Sequence, residues 1–196
     1  MLRYLLMMYV TLVPTILAGI MVMIWCKLPV MKFAARSIDL GKNFIDGRRV
    51  FGHNKTWKGI IGYVIFNVIF SVLWGLVCRN QTLGDLNFFY QEYDNTILYN
   101  LIIGACLGLG YALFELPNSF LKRRLDITPG KTVKGFWKGF FVFLDQADSV
   151  FGVALVVWLF FRLGILLYLL YVLVGAATHL FLNMMLYFMR LRKNMF

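Results

Sequence analysis

Leu144-Asp145-Gln146-Ala147-Asp148-Ser149 sets two carboxylates one helical turn apart, with Phe140-Phe141-Val142-Phe143 before them and a long apolar run after. A carboxylate in or near hydrocarbon costs at least a few kcal/mol, so it persists where it is paired, solvated or bound to a cation. At i and i+3 both acids share one helix face, roughly 5–6 Å apart at Cβ, close enough to hold one divalent ion. The same pair would also suit a helix start, with Asp148 or Ser149 as the cap. Glu115 ends another apolar run at the same expected depth. Asp145, Asp148 and Glu115 are therefore the candidate magnesium ligands.

Two cationic segments lie beside these acids. The first, Ile45-Asp46-Gly47-Arg48-Arg49-Val50-Phe51-Gly52-His53-Asn54-Lys55-Thr56-Trp57-Lys58-Gly59, combines glycines, cations and a hydroxyl. Glycines let backbone N–H groups approach an anion, and Arg48, Arg49, Lys55 and Thr56 add side-chain donors. Lys55-Thr56 falls where the loop enters a helix, whose N-terminus attracts an anion further. No Walker loop is present. A basic loop of this kind also serves to hold anionic headgroups. The second segment contains Pro117-Asn118-Ser119-Phe120-Leu121-Lys122-Arg123-Arg124, then Lys131-Thr132-Val133-Lys134-Gly135, which echoes Lys55-Thr56-Trp57-Lys58-Gly59. His53 has no second ligand nearby and reads as a loop histidine. Carboxylates for magnesium, cations for phosphate and a surrounding bilayer together point to transfer chemistry between a nucleotide and a lipid phosphate.

The elements that must position these residues are membrane spans. Of 196 residues, 61% are hydrophobic and 15% charged, more apolar surface than a soluble domain of this size buries. Span-length windows fall at about 5–25, 60–78, 96–114, 140–161 and 163–189, the last two read as a hairpin turning at Arg162-Leu163-Gly164. The first run lacks a cleavage site and reads as a true span. Most of the net +11 charge lies in the segments at about 27–58 and 116–139 and in the tail, which places them in the cytoplasm and the N-terminus outside. The expectation is a single all-α polytopic domain of five transmembrane helices in the plasma membrane, its two cytoplasmic loops forming a polar active-site chamber. The segment from Asn80 to Asn95 reads as a connector. His179, Asn183, Asn67 and Ser71 read as interhelical polar contacts, and Cys26, Cys78 and Cys106 as packing residues. The charge is accounted for without nucleic acid.

Asp46-Gly47-Arg48-Arg49, Gly52, Lys55-Thr56-Trp57 and Gly59, then Ser119-Phe120-Leu121-Lys122-Arg123-Arg124, then Leu144-Asp145-Gln146-Ala147-Asp148 resemble, in order, the CDP-archaeol synthase family, relatives of the phosphatidate cytidylyltransferases. The resemblance implies CTP and a lipid phosphate as substrates, a CDP-lipid and pyrophosphate as products, and Mg2+ as cofactor. It implies that Asp46, Lys55 and Thr56 belong to the nucleotide loop, Ser119, Lys122 and Arg123 to the second loop, and Asp145 and Asp148 to the acidic motif. The expected catalytic set is Asp46, Lys55, Thr56, Lys122, Arg123, Asp145 and Asp148, and Arg48, Arg49, Gly52, Ser119, Lys131 and Thr132 are the candidate binding residues for the nucleotide. Phe114-Glu115 stands where the family usually has Gly-Asp, and His53 where it usually has an acid. A CDP-alcohol phosphotransferase is discounted because its acids lie in one compact motif. An ion- or proton-coupled transporter would need a polar path to the outer side, and a lipid-binding scaffold would not need the acids. Which lipid phosphate is used, phosphatidic acid included, and whether the chain forms a homo-oligomer are not readable from the residues.

Overall fold

The computed structural model describes residues 2–129, 131 and 135–190. Its helices are α1 (Leu2–Lys27), α2 (Trp57–Val77), α3 (Gln81–Gly84), α4 (Ile97–Arg124), α5 (Lys138–Phe161) and α6 (Ile165–Phe188). Five are long and apolar enough to cross a membrane, and α3 is a single turn. Among the described residues there is no strand, and the basic loop carries only the isolated bridges Ser37–Thr56 and Asn43–Arg49.

α4 packs on both α2 and α5, α1 packs on α2, and α6 on α5. Burying one apolar helix against another gains little in lipid, so cohesion comes from close backbone approach. Gly104 and Gly108 supply it toward α2: a Cβ at Gly108 would lie 2.5 Å from Val64 Cα. Gly110 and Gly152 supply it toward α5, where a Cβ at Gly152 would lie 2.0 Å from the Gly110 carbonyl oxygen. Pro14 removes the N–H that would bond the Val10 carbonyl. The Trp74 indole of α2 fills that vacancy, donating to Val10 O at 2.8 Å. Thr15 donates to Asn67 Oδ1 at 3.0 Å, so Asn67 joins α1 to α2 as a buried polar contact.

The segment read as a connector joins α2 to α4 and also sends Asn87, Phe88 and Phe89 into the core. Phe88, in a 3-10 turn over Phe88–Tyr90, is fully buried against Phe161 and Tyr171, and its N–H donates to Thr11 Oγ1 at 3.0 Å. It closes the end of the bundle away from the basic loops. Nearby, Arg162 ends α5 with φ of 53°, Leu163 is buried, and α6 starts two residues later.

α4 does not stop at Phe114. Pro117 costs one backbone hydrogen bond without ending the helix, and Lys122, Arg123 and Arg124 in the last turn oppose the negative end of its dipole. The loop expected from 116 therefore begins only after Arg124, and Glu115, Asn118, Ser119, Lys122 and Arg123 lie on a rigid helix.

Candidate active site

On α4 the positions 111, 115, 118, 119 and 122 follow the i, i+4, i+7, i+8, i+11 spacing of one helix face. Tyr111, Glu115, Asn118, Ser119 and Lys122 accordingly line one cavity of about 470 Å³. Asp145 and Asp148 face them from α5, and Asn54, Lys55 and Lys131 border the mouth. From this polar end the cavity runs as an apolar arm between α1 and α6, along Leu12, Ile16, Ile20 and Met23 on one side and Leu182 and Leu186 on the other. At Gly19 a Cβ would meet nothing within 4 Å, so the arm is open there.

The acids are held apart by specific partners. Asn118 Nδ2 donates to Asp145 Oδ1 at 2.7 Å and to Asp148 Oδ2 at 2.8 Å, bridging the pair. Lys122 Nζ is 2.5 Å from the Asp145 carboxylate. Glu115 pairs with Lys55. Burial works against the Lys55 charge, but Glu115, with smaller attractions from Asp148 and Asp145, outweighs it and raises the pKa above the usual lysine value. Arg123 differs from its neighbours. It borders the same cavity, is 9% exposed, and its side chain has no ion pair or hydrogen bond among the described residues. A buried unpaired guanidinium is costly, which marks a place prepared for an anion.

The glycine-rich loop is arranged differently from the expected phosphate cradle. Asp46 pairs with Arg124 at 3.0 Å. Arg48 pairs with Asp126 and donates to the Arg124 carbonyl. Arg49 donates to Asp39 and to Ser37 Oγ. Gly52 donates its N–H to Asp39 Oδ2 at 2.9 Å and packs near Pro129. These residues clasp the two basic segments to each other and do not line the main cavity. Thr56 caps α2, its hydroxyl accepting from Gly59 N at 3.2 Å. Lys58 is buried at the end of α1, donating to Leu28 O at 2.6 Å beside Trp25. Thr132 lies outside the described residues.

Asp39 organises the clasp. Its side chain is fully buried and accepts from Arg49 and from the N–H groups of Gly41, Phe51 and Gly52. Burial would raise its pKa, but those donors outweigh it and hold the carboxyl well below the usual carboxylate range. The folded state is thus the weaker proton binder. The stability that Asp39 contributes is full above the ordinary carboxylate pKa and is lost as pH falls through the depressed value. Asp39→Asn is expected to destabilise the fold by about 1 kcal/mol, because Arg49 loses its carboxylate but keeps Ser37 Oγ and partial solvent exposure; thermal unfolding in detergent at neutral pH measures it.

The three carboxylates do not converge into one ready coordination sphere: among the described residues no group of three His, Cys, Asp or Glu side chains could hold a metal ion. Glu115 is drawn away to Lys55. Asp145 and Asp148 still fit a magnesium ion of the kind that takes one or two carboxylates and completes its shell with substrate phosphates and water. The buried Asn118 Oδ1 between them, without a hydrogen-bond partner, is a further hard oxygen at the same place.

Asn118 and Asp39 are absent from the residues singled out by motif. Asn118 was detectable from its helical spacing to Glu115 and Lys122; Asp39 carried no local signal, because its partners are mostly ten or more residues away.

Fold and cavity together define a polytopic membrane protein with a mixed-charge site at one end of its helix bundle and an apolar arm leading into it. The chain matches the family model described as CarS-like CDP-archaeol synthase over residues 1–196, and it belongs to that family. It is 37% identical to the CDP-archaeol synthase of Methanocaldococcus jannaschii over 116 residues, 59% of this chain and 58% of the relative. It is 32% identical to that of Pyrococcus furiosus over 107 residues, 55% and 56% of the two chains. For the synthase of Thermofilum pendens the values are 27% over 150 residues, 76% and 60%. The chain thus spans less than two thirds of the length of these curated relatives. A solved intramembrane enzyme for archaeal membrane lipids biosynthesis shares the fold, with a TM-score of 0.59 and 23% identity over 89% of this chain and 91% of that one.

Proposed function

We propose that this chain transfers a cytidylyl group from CTP to a membrane lipid phosphate, releasing pyrophosphate and leaving a CDP-activated lipid, at the cytoplasmic face of the plasma membrane. The observation that carries this reading is the buried Arg123, unpaired among the described residues, in a cavity that also holds Lys55, Lys122, Asp145 and Asp148 and continues into an apolar arm. Anion and hydrocarbon are thereby accommodated in one continuous space. The relatives' name, CDP-archaeol synthase, supplies the nucleotide and the lipid class.

A phosphate oxygen of the lipid attacks the α-phosphorus of CTP in line. The new P–O bond forms as the bond between α-phosphorus and the α–β bridging oxygen breaks, and pyrophosphate leaves with that electron pair. A lipid phosphate is already anionic at neutral pH, so no strong base is required. Catalysis reduces to positioning and charge neutralisation. Arg123 binds phosphate without first giving up a partner, whereas Lys55 and Lys122 turn from Glu115 and Asp145 toward the arriving anion. The chain's own pairs thus keep these cations in place until substrate exchanges for the carboxylates. Asp145 and Asp148 would hold Mg2+, with Asn118 beside them, and the ion supplies neutralisation of the negative charge on the triphosphate. The apolar arm between α1 and α6 takes the lipid chains. Coupled transport needs a polar path to the other end of the bundle, where Phe88, Phe161 and Tyr171 pack together.

Purified protein in detergent, incubated with CTP, magnesium and dialkylglycerol phosphate, is expected to release pyrophosphate in step with CDP-lipid formation. Both products must depend on the lipid. Pyrophosphate release without CDP-lipid, or neither product, overturns the reading.

A further inference from the structure

Hydrogen-bonding groups stand where the polar end of the cavity passes into its apolar arm. His179 Nδ1 lies 3.1 Å from the Gln146 backbone carbonyl, and since a carbonyl only accepts, that nitrogen carries the hydrogen. In the neutral ring Nε2 is then an acceptor, and it faces the Tyr111 hydroxyl at 3.4 Å. A contact of that length is weak, and the side chains of Ser149 and Tyr63 are the hydroxyl's other hydrogen-bonding neighbours, so it turns to a stronger acceptor in the cavity by exchanging weak contacts. The Tyr111 ring is fixed by stacking on Tyr63, centroids 4.2 Å apart and planes 28° apart. The level of α6 is fixed by Asn183, whose Nδ2 donates to Gln146 Oε1 at 2.7 Å. Gln146 is two residues from Asp148 on α5, which places the Tyr111–His179 pair within one helical turn of the acid pair, and both side chains border the cavity.

A lipid whose phosphate sits among Arg123, Lys122 and Lys55 extends its next few atoms to this level. In a glycerol-based lipid those atoms include oxygens, which need a donor once water is removed. In a long-chain alkyl or polyprenyl phosphate they are hydrocarbon, and a hydroxyl there is left facing carbon. We propose that Tyr111 is the specificity residue that reads this oxygen, donating its hydroxyl to the linkage oxygen of the glycerol backbone. His179 is the positioning residue that holds the hydroxyl in the cavity until the lipid arrives. This assignment rests on the cytidylyl-transfer reading above and names the side chain that distinguishes a glycerol-based lipid phosphate from one with hydrocarbon at that level.

Wild type, Tyr111→Phe and His179→Leu are compared on dialkylglycerol phosphate and on a polyprenyl monophosphate, with CTP and lipid varied separately. Tyr111→Phe keeps the ring and its stacking and removes one oxygen. It is expected to lower kcat/KM for the glycerol lipid about tenfold, leave the polyprenyl phosphate within about twofold, and leave KM for CTP unchanged. His179→Leu shifts the ratio the same way by a smaller factor. Wild type and Tyr111→Phe with the same ratio between the two lipids overturn the assignment while leaving cytidylyl transfer standing. Wild type that turns over neither lipid overturns the parent reading and the assignment with it.

Discussion

Asp148→Asn protein is expected to fold normally and to lose CTP-dependent pyrophosphate release by about a thousandfold. The side chain is 9% exposed and its carboxylate accepts from Asn118 Nδ2 at 2.8 Å and from Ser149 N–H at 2.6 Å. An asparagine Oδ1 can keep the bond from Asn118 Nδ2 while giving up the one from Ser149 N–H, so the α4–α5 contact survives the change. The negative charge does not survive, and with it goes one carboxylate of the acid pair that lines the cavity with Lys55, Lys122 and Arg123. Melting temperature in detergent and pyrophosphate release are the paired measurements. A variant that keeps a tenth of wild-type activity would remove Asp148 from the catalytic set, and one that fails to fold would make it structural.

Arg123→Met separates binding from stability in the opposite direction. Most buried cations of this site carry a partner: Lys55 has Glu115 and Lys122 has Asp145. Arg123 has none among the described residues, and the guanidinium groups of Arg49 and Arg124 repel it from the same region. Removing an uncompensated buried charge relieves the free protein, so its melting temperature is expected to stay the same or rise. Transition-state charge on the triphosphate loses a fixed donor, and kcat/KM for CTP is expected to fall by about a hundredfold or more. A drop in melting temperature together with unchanged kinetics would show that Arg123 holds the fold together instead. Lys55→Met provides the contrast, since it strands Glu115 and must cost stability as well as activity.

Much of the site was legible from residue types alone. An acid pair in an apolar run, and Lys-Arg-Arg closing another, have few stable arrangements in a bilayer, and the cavity holds Asp145, Asp148, Lys122 and Arg123 together. The helical periodicity of 111, 115, 118, 119 and 122 crosses the boundary expected between the span ending at about 114 and the loop from about 116; in the protein α4 runs on through Pro117 to Arg124. Asp46, Arg48 and Arg49 carry the right chemistry for phosphate, and in the protein they pair with Arg124, Asp126 and Asp39, partners that no local motif shows.

The sequence by itself determined the membrane class, the five apolar spans, the polar end of the bundle and the acid pair at its centre. Hydrocarbon permits so few charged positions that their types and places are informative without coordinates. The tertiary structure decided which cation of the cavity is without a partner among the described residues, which acid is bridged to which, and where the apolar arm runs. Those outcomes depend on competition between groups on different helices, settled by distances of a few ångströms: Asn118 reaching both aspartates, Glu115 captured by Lys55, and Gly110 meeting Gly152 so that α4 and α5 come close enough to share the site.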